Sequence, residues 1–357
     1  MKETEGPGNL FATLLPQAGA SLLAIFLALT VGGVLIAIAG VNPYEAYSAM
    51  LQGAFGSQFA IANFLTRTTP LIFTGLAVAF AFRCNLLNIG AEGQLYMGGL
   101  AAVLVGVYVT GLSALFHIAL AIAAASLAGA AWGGLAGLLK TTRGINEIIS
   151  TIMLNFIAIF FVSFLIQGPI AEPPGFFHQT ALIEETARLP KLMPRSDLSV
   201  AIFLAVFLAV ALSFVLWRTP FGMKLRSVGL APETARFSGI STNKYLFGAM
   251  AISGGAAGLA GGSEILGHQY RMLDFFSPGY GFDGIAVAFL GRSDPIGVVF
   301  AAMLFAALRV GANQMQRETG LPSSLVLVIQ GLVVLFILAA ELRRWLRERA
   351  VSKGKEA

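Results

Sequence analysis

Charge is scarce in this chain: Lys, Arg, Asp and Glu make up 11% of its 357 residues, against about 25% in a soluble domain. That scarcity excludes an ordinary water-facing design. The one cysteine, Cys84, excludes a disulfide within the chain and a cysteine-based metal site, and reads as a small buried residue. Histidine is nearly absent too, and His268 has no second His or Cys at ligand spacing, so no metal is expected. The chain contains no GxxxxGKS/T nucleotide loop, no HExxH and no GxSxG. ATP hydrolysis by that common nucleotide-loop machinery is therefore not expected of this chain. The first residues lack the basic stretch and cleavage site of a removed signal peptide, so the apolar run after Gly19 reads as a retained first span.

What is present is apolar. Mean hydropathy is +0.79 and 57% of residues are hydrophobic. Residues 93–139 contain no Lys, Arg, Asp or Glu; as one helix they would reach about 70 Å, more than twice the hydrocarbon core. They must fold back, most plausibly at Val109–Ser113. Further uncharged runs occupy 6–44, 148–171, 198–217 and 319–340. Open sheet edges cannot be satisfied in lipid, so the fold class is all-α and polytopic. The pattern predicts about ten transmembrane helices, near 18–40, 64–82, 90–109, 114–139, 147–168, 198–217, 245–265, 279–291, 295–313 and 322–341. Segment 41–63 reads as an external interfacial helix, with an additional span as its rival. Segment 264–295 is a tilted short span, a re-entrant segment or a broken helix.

The net charge of +5 does not point to nucleic acid, because the basic residues cluster at span ends. Lys140 and Arg143, the loop 218–244 and the tail 342–357 are basic and go inside by the positive-inside rule. The tail carries Arg343, Arg344, Arg347, Arg349, Lys353 and Lys355. Both termini are thus expected in the cytoplasm, and the proline-rich loop 169–197 outside. The whole chain reads as one transmembrane domain with core 18–341.

Forty-one glycines exceed the usual 7%, and many fall inside spans, where small residues let helices approach closely. Such seams are ordinary membrane packing or surfaces that slide during a transport cycle. Two places differ from packing. Around residues 82–94, Asn88, Glu92 and Gln94 interrupt apolar runs; they cap a helix end or gate a pathway. Around 261–284, Glu264, Arg271 and Asp274 form an external ion-paired loop or face a water-filled route, with Arg271 a candidate partner for either carboxylate. Asn155 sits mid-span, where it lines a pathway or bonds a neighbouring helix.

The remaining feature is a basic helix-loop, RTPFGMKLRSVGLAPETARFSGISTNK, from Arg218 to Lys244. Together with AFRCNLLNIGAEGQLYMGG (81–99), GINEIISTIMLNFIA (144–158) and GHQYRMLDFFSPGYGFDGIAVAFLGRSDP (267–295), its TPFGMKLRSVGLAPETARFSGI resembles permease subunits of bacterial ABC importers for nucleosides and simple sugars. These form a branch of the branched-chain amino acid/ribose-type superfamily. The resemblance covers about residues 20–340 and is more specific for class than for substrate. It implies a half-transporter in the inner (plasma) membrane, with no enzyme activity, catalytic residue or bound cofactor of its own, paired with a second, related permease. Two ATP-binding domains or one fused tandem ATPase would use ATP-Mg, and an extracytoplasmic binding lipoprotein would deliver ligand. In the resemblance, residues 232–240 match a short cytoplasmic coupling helix that docks on the ATPase, through Pro232, Glu233, Arg236, Phe237 and Gly239. Pro232 suits a first helical turn, and Glu233 its positive end. Phe82, Asn88, Glu92, Gln94, Asn155 and Phe156 are candidate pathway residues for a base and ribose. The alternative is a secondary transporter driven by an ion gradient, which would place acidic residues at mid-membrane and broken helices in both halves. A non-transporting scaffold would leave the basic loop without a purpose.

Overall fold

The computed structural model describes residues 10–173, 177–322, 324–336 and 339. The basic tail 342–357 and Pro174 of the long loop lie outside the described residues. Among those described, the chain is helical apart from two isolated β-bridges, Gln179 with Leu273 and Lys191 with Ser199.

In chain order the helices are α1 (Leu10–Ile38), α2 (Pro43–Phe55), α3 (Gln58–Phe82), α4 (Ala91–Tyr108), α5 (Ala114–Arg143) and α6 (Glu147–Gln167). Then come α7 (Ala201–Arg218), α8 (Pro220–Leu230), α9 (Pro232–Phe237), α10 (Thr242–Glu264), α11 (Tyr280–Leu290) and α12 (Pro295–Thr319). A shorter apolar helix, α13, covers Ser324–Phe336.

The expected ten spans are corrected here. Among the described residues, six helices (α3, α5, α6, α7, α10 and α12) are long and apolar enough to cross a membrane, or seven if the bent pair of α1 and α2 counts as one. Helices do stand near each expected position, yet several fall short of a span. Helix α11 has 11 residues, about 16 Å, and α13 is similarly short. Helix α4 spends its first turn on Glu92 and Gln94. Segment 41–63 holds the 13-residue α2, which turns by 119° from Ile25–Ile38, and the start of α3 at Gln58.

Ser57–Ala306 form one compact unit and Met1–Gly56 with Ala307–Ala357 the other. In the first, α3 is the most enclosed, with every residue from Thr68 to Ala81 buried. Helix α7 shows the membrane pattern instead. It buries Ala201, Ala205, Ala209, Leu212 and Leu216 and exposes Phe203, Phe207, Val210 and Phe214. A helix apolar all round, with its small residues turned inward, fits lipid rather than water.

Helix α10 packs against α5, α4 and α3, and glycine makes that approach possible. A Cβ on Gly258 would fall on Ala125 O and 3.0 Å from Gly129 Cα; one on Gly98 would strike Gly258, and one on Gly261 Leu95 O. These are backbone contacts, so no rotamer change relieves them. Gly258→Leu is expected to cost upwards of about 3 kcal/mol, read as a lower unfolding midpoint in detergent. Gly248→Leu on the same helix should change little, because nothing lies within 4 Å of a Cβ there.

In the second unit, Asn42 caps α2 by accepting from Tyr44 N–H at 3.0 Å, and the Tyr47 hydroxyl donates to Leu29 O of α1 at 2.5 Å. Gly53 and Gly311 bring α2 against the C-terminal part of α12, and Gly32 brings α1 against Ile329 of α13.

Candidate functional site

Two structures in the Ser57–Ala306 unit carry the expected site residues near one basic end. The first is the loop 218–244. Thr219 caps α8 by accepting from Gly222 N–H at 3.2 Å, and Pro220 fills the first turn, where no N–H is needed. After Ala231, Pro232 starts α9 in the same way. The helix ends by a Schellman arrangement: Ile240 N–H donates to Ala235 O at 3.0 Å and Gly239 N–H to Arg236 O at 3.0 Å. Gly239, at φ +78, supplies the left-handed residue this closure requires. Ala235 is buried and anchors the turn, while Glu233 and Arg236 are exposed and Phe237 is 92% exposed. Leu230, at 87%, stands equally open at the end of α8. Acidic, basic and aromatic side chains thus stand exposed on a short helix that proline starts and glycine closes.

The second is a buried polar network behind the α3–α4 turn. The Asn88 and Gln94 amides pair with each other, Asn88 Nδ2 donating to Gln94 Oε1 at 2.8 Å and Gln94 Nε2 to Asn88 Oδ1 at 3.1 Å. Asn88 also donates to Ser253 Oγ at 2.7 Å and accepts from Gly90 N–H at 2.9 Å. Ser253 in turn donates to Ala77 O of α3 at 2.6 Å. From α6, Asn155 accepts from Gly93 N–H and donates to Ile89 O, both at 2.8 Å. From α11, Gly281 N–H donates to Glu92 Oε2 at 2.6 Å. Asn88, Glu92, Gln94 and Asn155 are thus brought together, at most 2% exposed, and they tie the start of α4 to four neighbouring helices. Phe82 and Phe156 are elsewhere: Phe82 is 40% exposed with its ring edge-on to Phe289, and Phe156 is 51% exposed and stacked on Phe160.

Between α3 and this network lies Cys84, buried, its thiol pushed up to about 12 by desolvation. A thiolate is the reactive form. Cys84 is therefore expected to resist maleimide at pH 8 in intact membranes and to label only after denaturation, as read by mass shift.

At the opposite ends of these helices, loop 169–197 covers a π-helical turn, Ile265–Gln269, donating from Leu189 N–H to Leu266 O at 2.8 Å and from Ile183 N–H to Tyr270 O at 2.9 Å. Arg271 pairs with Glu172 at 3.1 Å. Asp274 accepts from Ser163 Oγ at 3.1 Å and Gln167 Nε2 at 2.9 Å, and Glu264, buried, accepts from Gln269 Nε2 at 3.3 Å. The expected triad is therefore divided among separate partners. A small polar cleft beside Glu264 is lined by Thr66, Thr69, Asp197, Ser199 and His268. Lys191 pairs with Asp197 at 3.2 Å; burial disfavours its charge, but Asp197 and Tyr270 more than offset this and raise its pKa. Among the described residues, no three His, Cys, Asp or Glu side chains are grouped to hold a metal ion.

Sequence reasoning missed Ser253, Glu172 and a cationic stack at the basic end. There, the Arg226 and Arg83 guanidinium carbons lie 4.4 and 5.1 Å from the Trp217 ring centroid. Burial pushes the Arg83 pKa down, Asp294 opposes the shift and Arg226 adds to it. No spacing in the sequence announces a contact between residues this far apart.

Among the described residues this is a glycine-seamed helical protein with several membrane-length helices and a short exposed helix in its basic loop. The chain belongs to the family described as permease components of branched-chain amino acid transport systems, which matches residues 60–338; it is an ABC-transporter permease, not the ATPase. It is 37% identical over 337 residues to the guanosine ABC transporter permease protein NupP of Bacillus subtilis, covering 93% of this chain and 96% of that one. It is also 37% identical over 333 residues to the glucose ABC transporter permease protein TsgB13 of Haloferax volcanii (90% and 87% covered). To the nucleoside ABC transporter permease protein NupB of Lactococcus lactis it is 32% identical over 328 residues (88% and 89% covered). No solved structure shows a significant match. The ion-gradient alternative finds no support in these relatives.

Proposed function

We propose that this chain carries nucleosides or simple sugars inward as half of a permease pair, powered by ATP-binding subunits that dock on α9. The observation that carries the reading is α9 itself, with Glu233, Arg236 and Phe237 exposed on a helix fixed at both ends. Relatives named for guanosine, glucose and nucleosides support the substrate class. The basic end, with Lys140, Arg143, Arg218, Lys224, Arg226, Arg236 and Lys244, faces the cytoplasm by the positive-inside rule. Both termini are cytoplasmic in this reading, and loop 169–197 with Glu264, Arg271 and Asp274 is the outer gate, where a binding lipoprotein delivers ligand. Phe82 and Phe156 offer ring faces to the passing solute, and Asn88, Glu92, Gln94 and Asn155 brace the route from behind. Uptake of labelled guanosine into vesicles holding the complete transporter tests this: it should require ATP and be competed by nucleosides or sugars. Uptake that persists without ATP and follows an imposed ion gradient would overturn it.

A further inference from the structure

We propose that Trp217, over whose ring both Arg226 and Arg83 lie, is the joint through which a load on α9 reaches the buried network behind the α3–α4 turn. This rests on the docking role given to α9 above.

Three chain segments meet at the indole. Arg226 comes from α8, which one residue of linker separates from α9; Trp217 is the last residue but one of α7; Arg83 caps the C-terminus of α3. A fourth, the turn between α11 and α12, is tied in by hydrogen bonds. Trp217 Nε1–H donates to Asp294 Oδ1 at 3.3 Å, and Asp294 Oδ2 caps α12 by accepting from Ile296 and Gly297 N–H at 3.2 Å each. Arg83 Nε donates to Ser293 O at 2.8 Å and its Nη2 to Arg292 O at 3.3 Å. Arg292 and Ser293 hold positive φ of 56 and 53, a backbone state that persists only where its surroundings impose it. Helix α8 also presses directly on this corner, since a Cβ on Gly229 would lie 2.5 Å from Arg83 O and 2.9 Å from Cys84 Cα.

The two grips differ in kind. Arg83 is fixed by directional bonds to two carbonyls as well as by the ring. Arg226 holds the ring by its cationic face, and its Nε is buried without a hydrogen-bond partner. A cation over a ring face is held by the ring quadrupole, so Arg226 couples α8 to the indole. Movement of α8 and α9 therefore displaces Trp217 and, through Arg83, the end of α3. Five residues on lies Asn88, whose amide ties α3, α4 and α10 together. Trp217 and Arg226 are positioning residues: they touch no solute and act through α3.

The complete transporter in proteoliposomes supplies the test, with solute uptake and ATP hydrolysis measured together. Trp217→Leu should keep the ATP-binding subunits bound and their basal hydrolysis within about twofold, yet lower uptake per ATP at least tenfold, an effect of some 1.4 kcal/mol per decade. Trp217→Phe, which restores a ring face, should recover most of it. Arg226→Gln should behave as Trp217→Leu without disturbing a helix of the bundle. Unchanged uptake per ATP in Arg226→Gln overturns the joint, even where Trp217→Leu fails to insert. Loss of the ATP-binding subunits from Trp217→Leu overturns it as well, making the residue a support for docking. A wild-type complex that never retains those subunits is a different result: it removes the docking role of α9 and the joint with it.

Discussion

Exchanging the charges of Glu233 and Arg236, as Glu233→Lys with Arg236→Glu, is expected to abolish ATP-dependent uptake while the amount of protein in the membrane stays at the wild-type level. Both side chains are exposed and neither hydrogen-bonds within the fold among the described contacts, so the helix itself loses little. Reversing charges near the ends of so short a helix costs about 0.5 kcal/mol each. Ala235 and the closure at Gly239 still hold it. An ATPase surface complementary to the native pair would instead meet two like charges, worth several kcal/mol at an interface. Uptake should fall about 100-fold or more, measured beside an immunoblot of washed membranes. Normal uptake by the double variant would remove α9 from the docking role.

Asn88→Leu should be among the most damaging single changes for stability. Leucine has nearly the shape of asparagine but leaves the Gly90 N–H without its acceptor and the Gln94 amide without its pair. In a low-dielectric interior each orphaned group costs about 1–3 kcal/mol, so a total of about 3 kcal/mol or more is expected. Ser253→Ala removes one link, between Asn88 and Ala77 O, and should cost about 1 kcal/mol. Unfolding in detergent, followed by Trp fluorescence, should rank Asn88→Leu well below Ser253→Ala. Equal midpoints would show that the network does not brace the start of α4.

Much of this fold is legible in the sequence because membrane helices announce themselves locally. The ends of α5, α6, α7 and α10 lie within a few residues of the expected bounds, since charge, proline or glycine marks each one. Helix α9 is readable from Pro232 at its start and Gly239 past its end. What hydropathy could not separate was an apolar helix from a crossing one. Helix α11 is apolar but brief, α4 has polar side chains where a span would have carbon, and α2 departs from α1 by a sharp bend at Asn42 and Pro43. The polar residues were identified more readily than their partners. Arg271 chooses Glu172, 99 residues away, over Glu264 and Asp274 nearby in sequence, because loop 169–197 folds across the π-helical turn. The stack of Arg83, Trp217 and Arg226 is hidden for the same reason: a ring face carries no sequence signature of what covers it.

The claim that this permease is driven through α9 is tested most directly by a single thiol. Cys84, the one native cysteine, is buried, so Phe237→Cys places the one accessible thiol at a position 92% exposed. A short thiol-to-amine reagent (maleimide at one end, active ester at the other), applied to membranes holding the complete transporter, should join the residue 237 thiol to a lysine of an ATP-binding subunit. Arg195→Cys, in the loop assigned to the outer face, should give no such product. Capture of the ATP-binding subunit from residue 195 and not from 237 would contradict both the docking site and the orientation of the chain.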